Sequence, residues 1–363
     1  MLCVRLVFCL YAEDAGIFGK RDMFHDYLQS IPKNKVRKAI IDLFKTLDTK
    51  EEDRDPYLED DLKIFPYVNG GLFAQEDIEI PQFNDEIIDL LIKDCSEQFD
   101  WSMISPTIFG AVFESTLNPQ TRRNGGMHYT SIENIHKVID PLFLDELKEE
   151  FTQIKSIKKS RKLKLEEFQN KLASLTFLDP ACGSGNFLTE TYLSLRRLEN
   201  EVLKELLQTE GKGSTLAGLI TDIHQYNLIK VSISKFYGIE INDFAVNVAK
   251  TALWIAENQM MKETENIIHM DLDFLPLKTN AYIVEGNALR MNWQDIIAKE
   301  KLNYIMGNPP FIGARLMNKD QKEDVNNIFD GWKSIGNLDY VSCWYKKSAD
   351  FMLSLIHISE PTR

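Results

Sequence analysis

The sequence predicts an α/β protein, a doubly wound parallel sheet preceded by a mainly helical region. Three observations lead there. Four short apolar runs, Leu175–Leu178, Lys235–Ile241, Ala281–Glu285 and Asn303–Met306, have strand length, and they end at or run into acids, glycine or asparagine. Helical periodicity fills the chain from Asn186 through Leu198 and beyond, and again from Asn242 to Met261, the spacing of parallel strands joined by crossover helices. The stretch before about residue 120 carries apolar stripes at helical spacing, in Val4–Leu10, Val36–Leu47 and Ile87–Ile92.

Taken in order, the first residues, MLCVRLVFCLYAEDAGIF, have the outline of a leader. Arg5 interrupts the apolar run, Glu13-Asp14 follow it directly, and no small-x-small site comes after, so an amphipathic helix is expected. Phe65-Pro66-Tyr67-Val68-Asn69-Gly70-Gly71-Leu72-Phe73 carries no acid–base pair or nucleophile and reads as a packed loop. Thr130 or Ser131 is placed to cap an amphipathic helix from Ile132 to about Phe151. The most basic run, Lys155–Lys164, reads first as a solvated helical face and second as a DNA phosphate contact. Gly211–Tyr226 is polar and reads as a loop or insertion.

Bulk properties narrow the classes. The 363 residues allow two domains with their own cores, and 44% hydrophobic with 27% charged residues is ordinary for a soluble protein. A net charge of −13 argues against a surface that binds nucleic acid indiscriminately, because phosphate neutralisation needs clustered Lys and Arg. Cys3, Cys9, Cys95, Cys182 and Cys343 are odd in number with no C-x-x-C, which suggests free thiols in a reducing cytoplasm and no zinc site. No apolar run reaches the roughly 18 residues of a membrane span.

The chemistry concentrates at strand ends. After the first strand, Asp179-Pro180-Ala181-Cys182-Gly183-Ser184-Gly185-Asn186-Phe187 runs into a helix. Gly183 and Gly185 permit positive φ and close approach of a ligand to the backbone. A glycine pair alone is usually a tight turn, and this one lacks both the third glycine of the dinucleotide fingerprint and a triphosphate Lys-Ser/Thr. The second strand ends in Glu240-Ile241, where a carboxylate suits a ribose diol. The third leads to Gly286-Asn287-Ala288, and the fourth delivers Gly307-Asn308-Pro309-Pro310-Phe311. In that last loop two prolines stiffen the backbone and present carbonyls, while Phe311 offers a ring face to a planar substrate.

The glycine loop resembles motif I of S-adenosyl-L-methionine-dependent DNA methyltransferases, and Asn308-Pro309-Pro310-Phe311 resembles the catalytic loop of the adenine-N6 type. His128-Tyr129-Thr130 resembles an element that precedes motif I and closes over the methionine end of the cofactor in enzymes whose recognition domain comes last. Ile312-Gly313-Ala314-Arg315, the helix from Leu338-Asp339-Tyr340 to Met352, LVFCLYAEDAGIF and YVNGGLF are further similar to the MmeI-like restriction-modification methyltransferases. The resemblance implies a Rossmann-like methyltransferase sheet and a cofactor site made of Tyr129, Thr130, Asp179, Ala181, Gly183, Gly185, Phe187, Glu240, Ile241, Asn287 and Ala288. Many relatives have Asp where Asn287 stands. Asn308, Pro309, Pro310 and Phe311 would be catalytic, acting on a flipped adenine of double-stranded DNA, with no metal and no membrane.

The domains expected are a helical connector over residues 1–120, a methyltransferase domain over 121–352 and a non-native tail over 353–363, which resembles translated sequencing-adapter sequence. The family's nuclease and target-recognition domains are expected to lie outside this chain. Two other classes compete: a methyltransferase acting on RNA guanine or protein glutamine, and a non-catalytic DNA-binding subunit. A cytosine-C5 enzyme is excluded because it needs a Pro-Cys nucleophile, and Cys182 follows Ala181 inside the glycine loop.

Overall fold

Helix α1 (Leu2–Asp14) is a core helix: Val4, Phe8, Cys9, Leu10, Tyr11 and Ala12 are all buried, and so are Arg5 and Glu13. The expected helix is present, but it is not amphipathic over Phe8–Glu13, where six consecutive residues are buried. Its two buried charges are satisfied within the unit, as burial requires. Arg5 Nε donates to the Leu72 carbonyl at 2.8 Å and the guanidinium lies over the rings of Phe44 and Phe73, while Glu13 accepts from Ser96 Oγ at 2.7 Å and His25 N at 2.8 Å. Helices α2 (Met23–Ser30), α3 (Val36–Asp48), α4 (Asp60–Lys63) and α5 (Asp85–Asp89) follow.

The structure is a computed structural model that describes residues 1–68, 72–73, 78–110, 130–209, 228–269 and 281–356. Two units emerge, one within Met1–Ser105 and one within Pro106–Asp273 and Ala281–Arg363. Tyr129, Gly70-Gly71 and the span 211–226 lie outside the described residues.

The second unit is built on four parallel strands, β1 (Phe177–Asp179), β2 (Phe236–Glu240), β3 (Tyr282–Glu285) and β4 (Tyr304–Ile305), in the order β3-β2-β1-β4. The α/β class with a parallel sheet is as the sequence predicts. Strands are shorter than the apolar runs that announced them. Register pairs Phe177 with Phe236 and Tyr304, and the three rings stack at 5.2 and 5.4 Å across the sheet.

Successive residues then face opposite sides. Phe177 and Phe236 enter the larger core, while Leu178 and Ile239 enter the smaller one with Ala288, Trp293 and Leu302. Helices α6 (Ile132–Ile139), α7 (Asp145–Ser156), α8 (Arg161–Ser174), α9 (Asn186–Thr209) and α10 (Asp243–Ile268) contribute to the larger core. Asn242 caps α10 by accepting from Ala245 N, and the helix ends where His269 turns left-handed at φ 55°.

Two helical expectations change. The helix expected over Ile132–Phe151 contains a widened turn at Asp140–Leu144, where Pro141 cannot donate a backbone hydrogen bond, and it continues to Ser156. The basic run Lys155–Lys164 is not one helical face, since α7 ends at Ser156 and α8 begins at Arg161. Helices α11 (Lys319–Ile328) and α12 (Ser342–Ile356) complete the unit, α12 running past Met352. Among the described residues no helix is long and apolar enough to cross a membrane.

Chain order places β2 and β3 on one side of β1 and β4 on the other. The carboxyl ends of β1 and β4 therefore form the switch point where open α/β sheets leave a crevice.

Candidate active site

A cavity of about 380 Å³ opens at those strand ends. Of the residues singled out from sequence, Thr130, Asp179, Ala181, Gly183, Phe187, Glu240, Ile241, Asn287, Ala288, Asn308 and Pro310 line it. Gly185, Pro309 and Phe311 do not, and Phe311 stands 64% exposed.

The loop after β1 is shaped by its own backbone. Cys182 N donates to the Ile239 carbonyl at 3.1 Å, which carries β1–β2 pairing into the loop, and the first bond of α9 runs from Thr189 N to Gly185 O at 2.8 Å. Gly185 has φ +82° and lies against α10 so closely that a Cβ would sit 2.8 Å from that of Ala249. Only glycine satisfies both demands.

Asp179 ends β1 with its carboxyl buried. Oδ1 accepts from Ala181 N at 3.0 Å. Burial pushes its pKa up to about 7, the Ala181 N–H opposing and the nearby Glu240 adding to the rise. Gly307, to which the sequence alone assigns no role, has φ +152°, and a Cβ there would lie 2.3 Å from Asp179 Oδ1. Its lack of a side chain lets the end of β4 pass over the carboxyl.

Glu240 closes β2. Its Oε2 accepts from Gly183 N and its Oε1 from Asn242 N, each at 2.9 Å, so the carboxylate stitches the glycine loop to the start of α10. Ile241 follows, 62% exposed, an apolar surface beside the carboxylate. Cys182 is buried, and burial, reinforced by Asp179 and Glu240, pushes its thiol pKa well up, which makes it a poor nucleophile.

At the Asn308-Pro309-Pro310 turn after β4, Asn308 Nδ2 donates to Thr130 Oγ1 at 3.2 Å. The choice of cap upstream explains why Thr130 is available: Ser131, whose hydroxyl accepts from Asn134 N, caps α6. Among the described residues no donor reaches Asn308 Oδ1.

The segment after this turn returns to the site. Ile312 N donates to Asp339 Oδ1 and Tyr340 N to Ile312 O, while Trp344 Nε1 donates to the Pro180 carbonyl at 3.1 Å. Asp324, Tyr340 and Trp344 all line the cavity. Asp324 is buried yet accepts from Arg290 Nε at 2.6 Å, Tyr340 OH at 2.7 Å and Asn287 Nδ2 at 3.2 Å. Lys347 Nζ donates to the carbonyls of Ala288, Leu289 and Met291, and burial draws its pKa down to about 8 against the pull of Asp324. Sequence reasoning flagged Tyr340 only as part of a family-like helix and missed Asp324, an acid in a polar helix with no local signal.

The arrangement offers positive-φ loop backbone, two buried carboxyls and an exposed apolar residue along the ends of β1 and β2, and after β4 an amide whose oxygen meets no donor among the described residues. It suits a ligand with a diol and a cationic group lying beside a separately presented amine.

Known proteins bear on this geometry. Residues 154–359 match the model of the MmeI DNA-methyltransferase domain, and residues 1–73 that of the MmeI helicase spacer domain. DNA methyltransferase A of Bacillus subtilis (strain 168) is 38% identical over 358 residues, covering 97% of this chain and 38% of that protein. A putative type II restriction enzyme and methyltransferase of Methanocaldococcus jannaschii is 27% identical over 303 residues, covering 70% of this chain and 24% of that protein. The type IIL restriction-modification enzyme MmeI, solved in complex with DNA, matches with a TM-score of 0.85 and 40% identity over 97% of this chain and 45% of its own. This chain thus spans less than half the length of each.

Proposed function

Because the chain belongs to the MmeI DNA-methyltransferase family, we propose that it transfers a methyl group from S-adenosyl-L-methionine to the exocyclic N6 amine of adenine in DNA, within a restriction-modification system. The observation that carries this reading is one cavity lined by the loop after β1, by Glu240, and by Asn308 and Pro310.

The residues present fit the cofactor. Glu240 lines the cavity with a carboxylate that suits a ribose diol, Ile241 offers an apolar face for the base, and Asp179 with the 181–185 backbone would hold the amino-acid end. When bound, S-adenosylmethionine supplies an electrophilic methyl on a sulfonium. All other work belongs to the protein. The substrate amine is a weak nucleophile because its lone pair is delocalised into the ring. Asn308 Oδ1 and the Pro309 carbonyl are the acceptors that would take the amine's hydrogens, favour a tetrahedral nitrogen and aim its lone pair along the cavity. Thr130 holds the other end of the Asn308 amide, which fixes the oxygen as the face turned to substrate. Phe311, exposed beside this turn, would stack on a base taken out of the duplex.

Incubation with methyl-labelled cofactor and DNA, RNA or protein acceptors, followed by nucleoside analysis, tests the reading. Label in N6-methyladenine supports it; label in RNA guanine or protein glutamine, with DNA unlabelled, rejects it.

A further inference from the structure

Residue 287 is an amide, and Asp324 accounts for it. The Asn287 side chain is held at both ends: Oδ1 accepts from Leu289 N at 2.9 Å and Nδ2 donates to Asp324 Oδ2 at 3.2 Å. Both contacts demand the same orientation of the amide, because a backbone N–H needs an acceptor and a carboxylate needs a donor. A carboxylate at 287 would instead meet that of Asp324 across the same short distance, and two carboxylates so placed repel unless they share a proton. Asp324 is itself locked. It is 2% exposed, with Arg290 Nε on one oxygen and Tyr340 OH and Asn287 on the other. Both Asn287 and Asp324 line the cavity.

We propose that Asp324 is a positioning residue that sets specificity at the base end of the cavity, by fixing residue 287 as a hydrogen-bond donor toward the edge of the bound purine. With one Nδ2 hydrogen on Asp324, the second is the one left for a ligand, and it suits a ring-nitrogen acceptor such as adenine N1. This inference rests on the reading of the cavity as an adenosine-cofactor site, and it assigns the polarity of one contact within it.

The test is calorimetric binding of S-adenosylhomocysteine to the 363-residue protein and to Asn287→Asp, Asp324→Asn, the reciprocal double variant and, as a control at the ribose end, Glu240→Gln. A second titration uses the hypoxanthine counterpart, in which N1 carries a hydrogen and a carbonyl replaces the amine. Each single substitution at 287 or 324 should weaken adenine-ligand binding by roughly tenfold, the cost of one mismatched buried hydrogen bond. The reciprocal pair should regain most of that loss. Its preference for adenine over hypoxanthine should narrow by a similar factor, a change that simple bracing of the fold would not produce. Thermal melts of the same proteins confirm folding, and the isosteric substitutions keep the packing.

A Glu240→Gln loss with unchanged binding in both single variants overturns the inference and leaves the cofactor reading standing. Rescue with an unaltered base preference also overturns it, since Asp324 would then only brace the loop. No effect from any variant, Glu240→Gln included, removes both.

Discussion

Asn308 and Thr130 lie 178 positions apart in the chain, yet the Asn308 side-chain nitrogen donates to the Thr130 hydroxyl at 3.2 Å. The amide after β4 is thereby oriented by the segment that precedes the sheet.

Replacing Asn308 by Ala should lower methyl transfer by at least roughly a hundredfold while leaving cofactor affinity within a factor of about three, because the amide acts on the reacting amine. Thr130→Val should cost less, about five- to thirtyfold in kcat, since it frees the amide without removing it. Single-turnover rates beside calorimetric cofactor affinity check both. Full turnover by Asn308→Ala would sink the assignment.

Cofactor binding should depend on Asp179. Its pKa of about 7 in the unliganded protein means that a cationic ligand must draw off a proton to face a carboxylate at lower pH. Affinity should therefore fall as pH drops below about 7, and binding near pH 7 should release protons, seen as a buffer-dependent enthalpy. Stability runs the other way. Between the unfolded value near 3.8 and about 7 the folded state binds more protons at this site than the unfolded chain, so this group's contribution declines as pH rises through that window. Asp179→Asn should flatten both profiles.

Gly307→Ala should be severe for so small a change. The added methyl would sit 2.3 Å from Asp179 Oδ1, at a φ of +152° that side chains rarely adopt. We expect a loss of roughly 2 kcal/mol or more in stability and at least about tenfold in cofactor affinity. Denaturant titration and calorimetry give the two numbers; wild-type values for both would mean that the loop yields easily.

Phe311→Ala should leave cofactor affinity unchanged, because the ring is 64% exposed and does not line the cavity. Substrate engagement should weaken by about 1–3 kcal/mol if the ring stacks on the target base. A KM for DNA equal to that of wild type would remove the stacking role.

Phe177→Ala tests the sheet instead of the chemistry. Its ring is fully buried between Phe236 and Tyr304, so truncation should cost about 3–5 kcal/mol, measurable by denaturant unfolding.

Much of the site was legible in the chain because its signals are local. A strand that meets Asp179 and a glycine loop, an acid at the end of the next strand, and a Pro-Pro turn after the fourth are each encoded within a few residues. Helix α1 shows the limit. Its charges Arg5 and Glu13 argue in sequence against a leader and for an amphipathic helix, but both are paired in the interior, and pairing with Leu72 and Ser96 cannot be seen from a window of thirteen residues.

By itself, then, the sequence determined the parallel α/β class, the glycine loop, and Glu240 and Asn308 as residues of the cavity, since backbone propensity and turn chemistry act between near neighbours. Tertiary structure alone decided that Thr130 meets Asn308, that Gly307 must be bare against Asp179, and that Asp324 accepts from Asn287. Each of those depends on groups brought together from separate elements, where the distance of a buried donor from its acceptor, and not the order of residues, sets the energy.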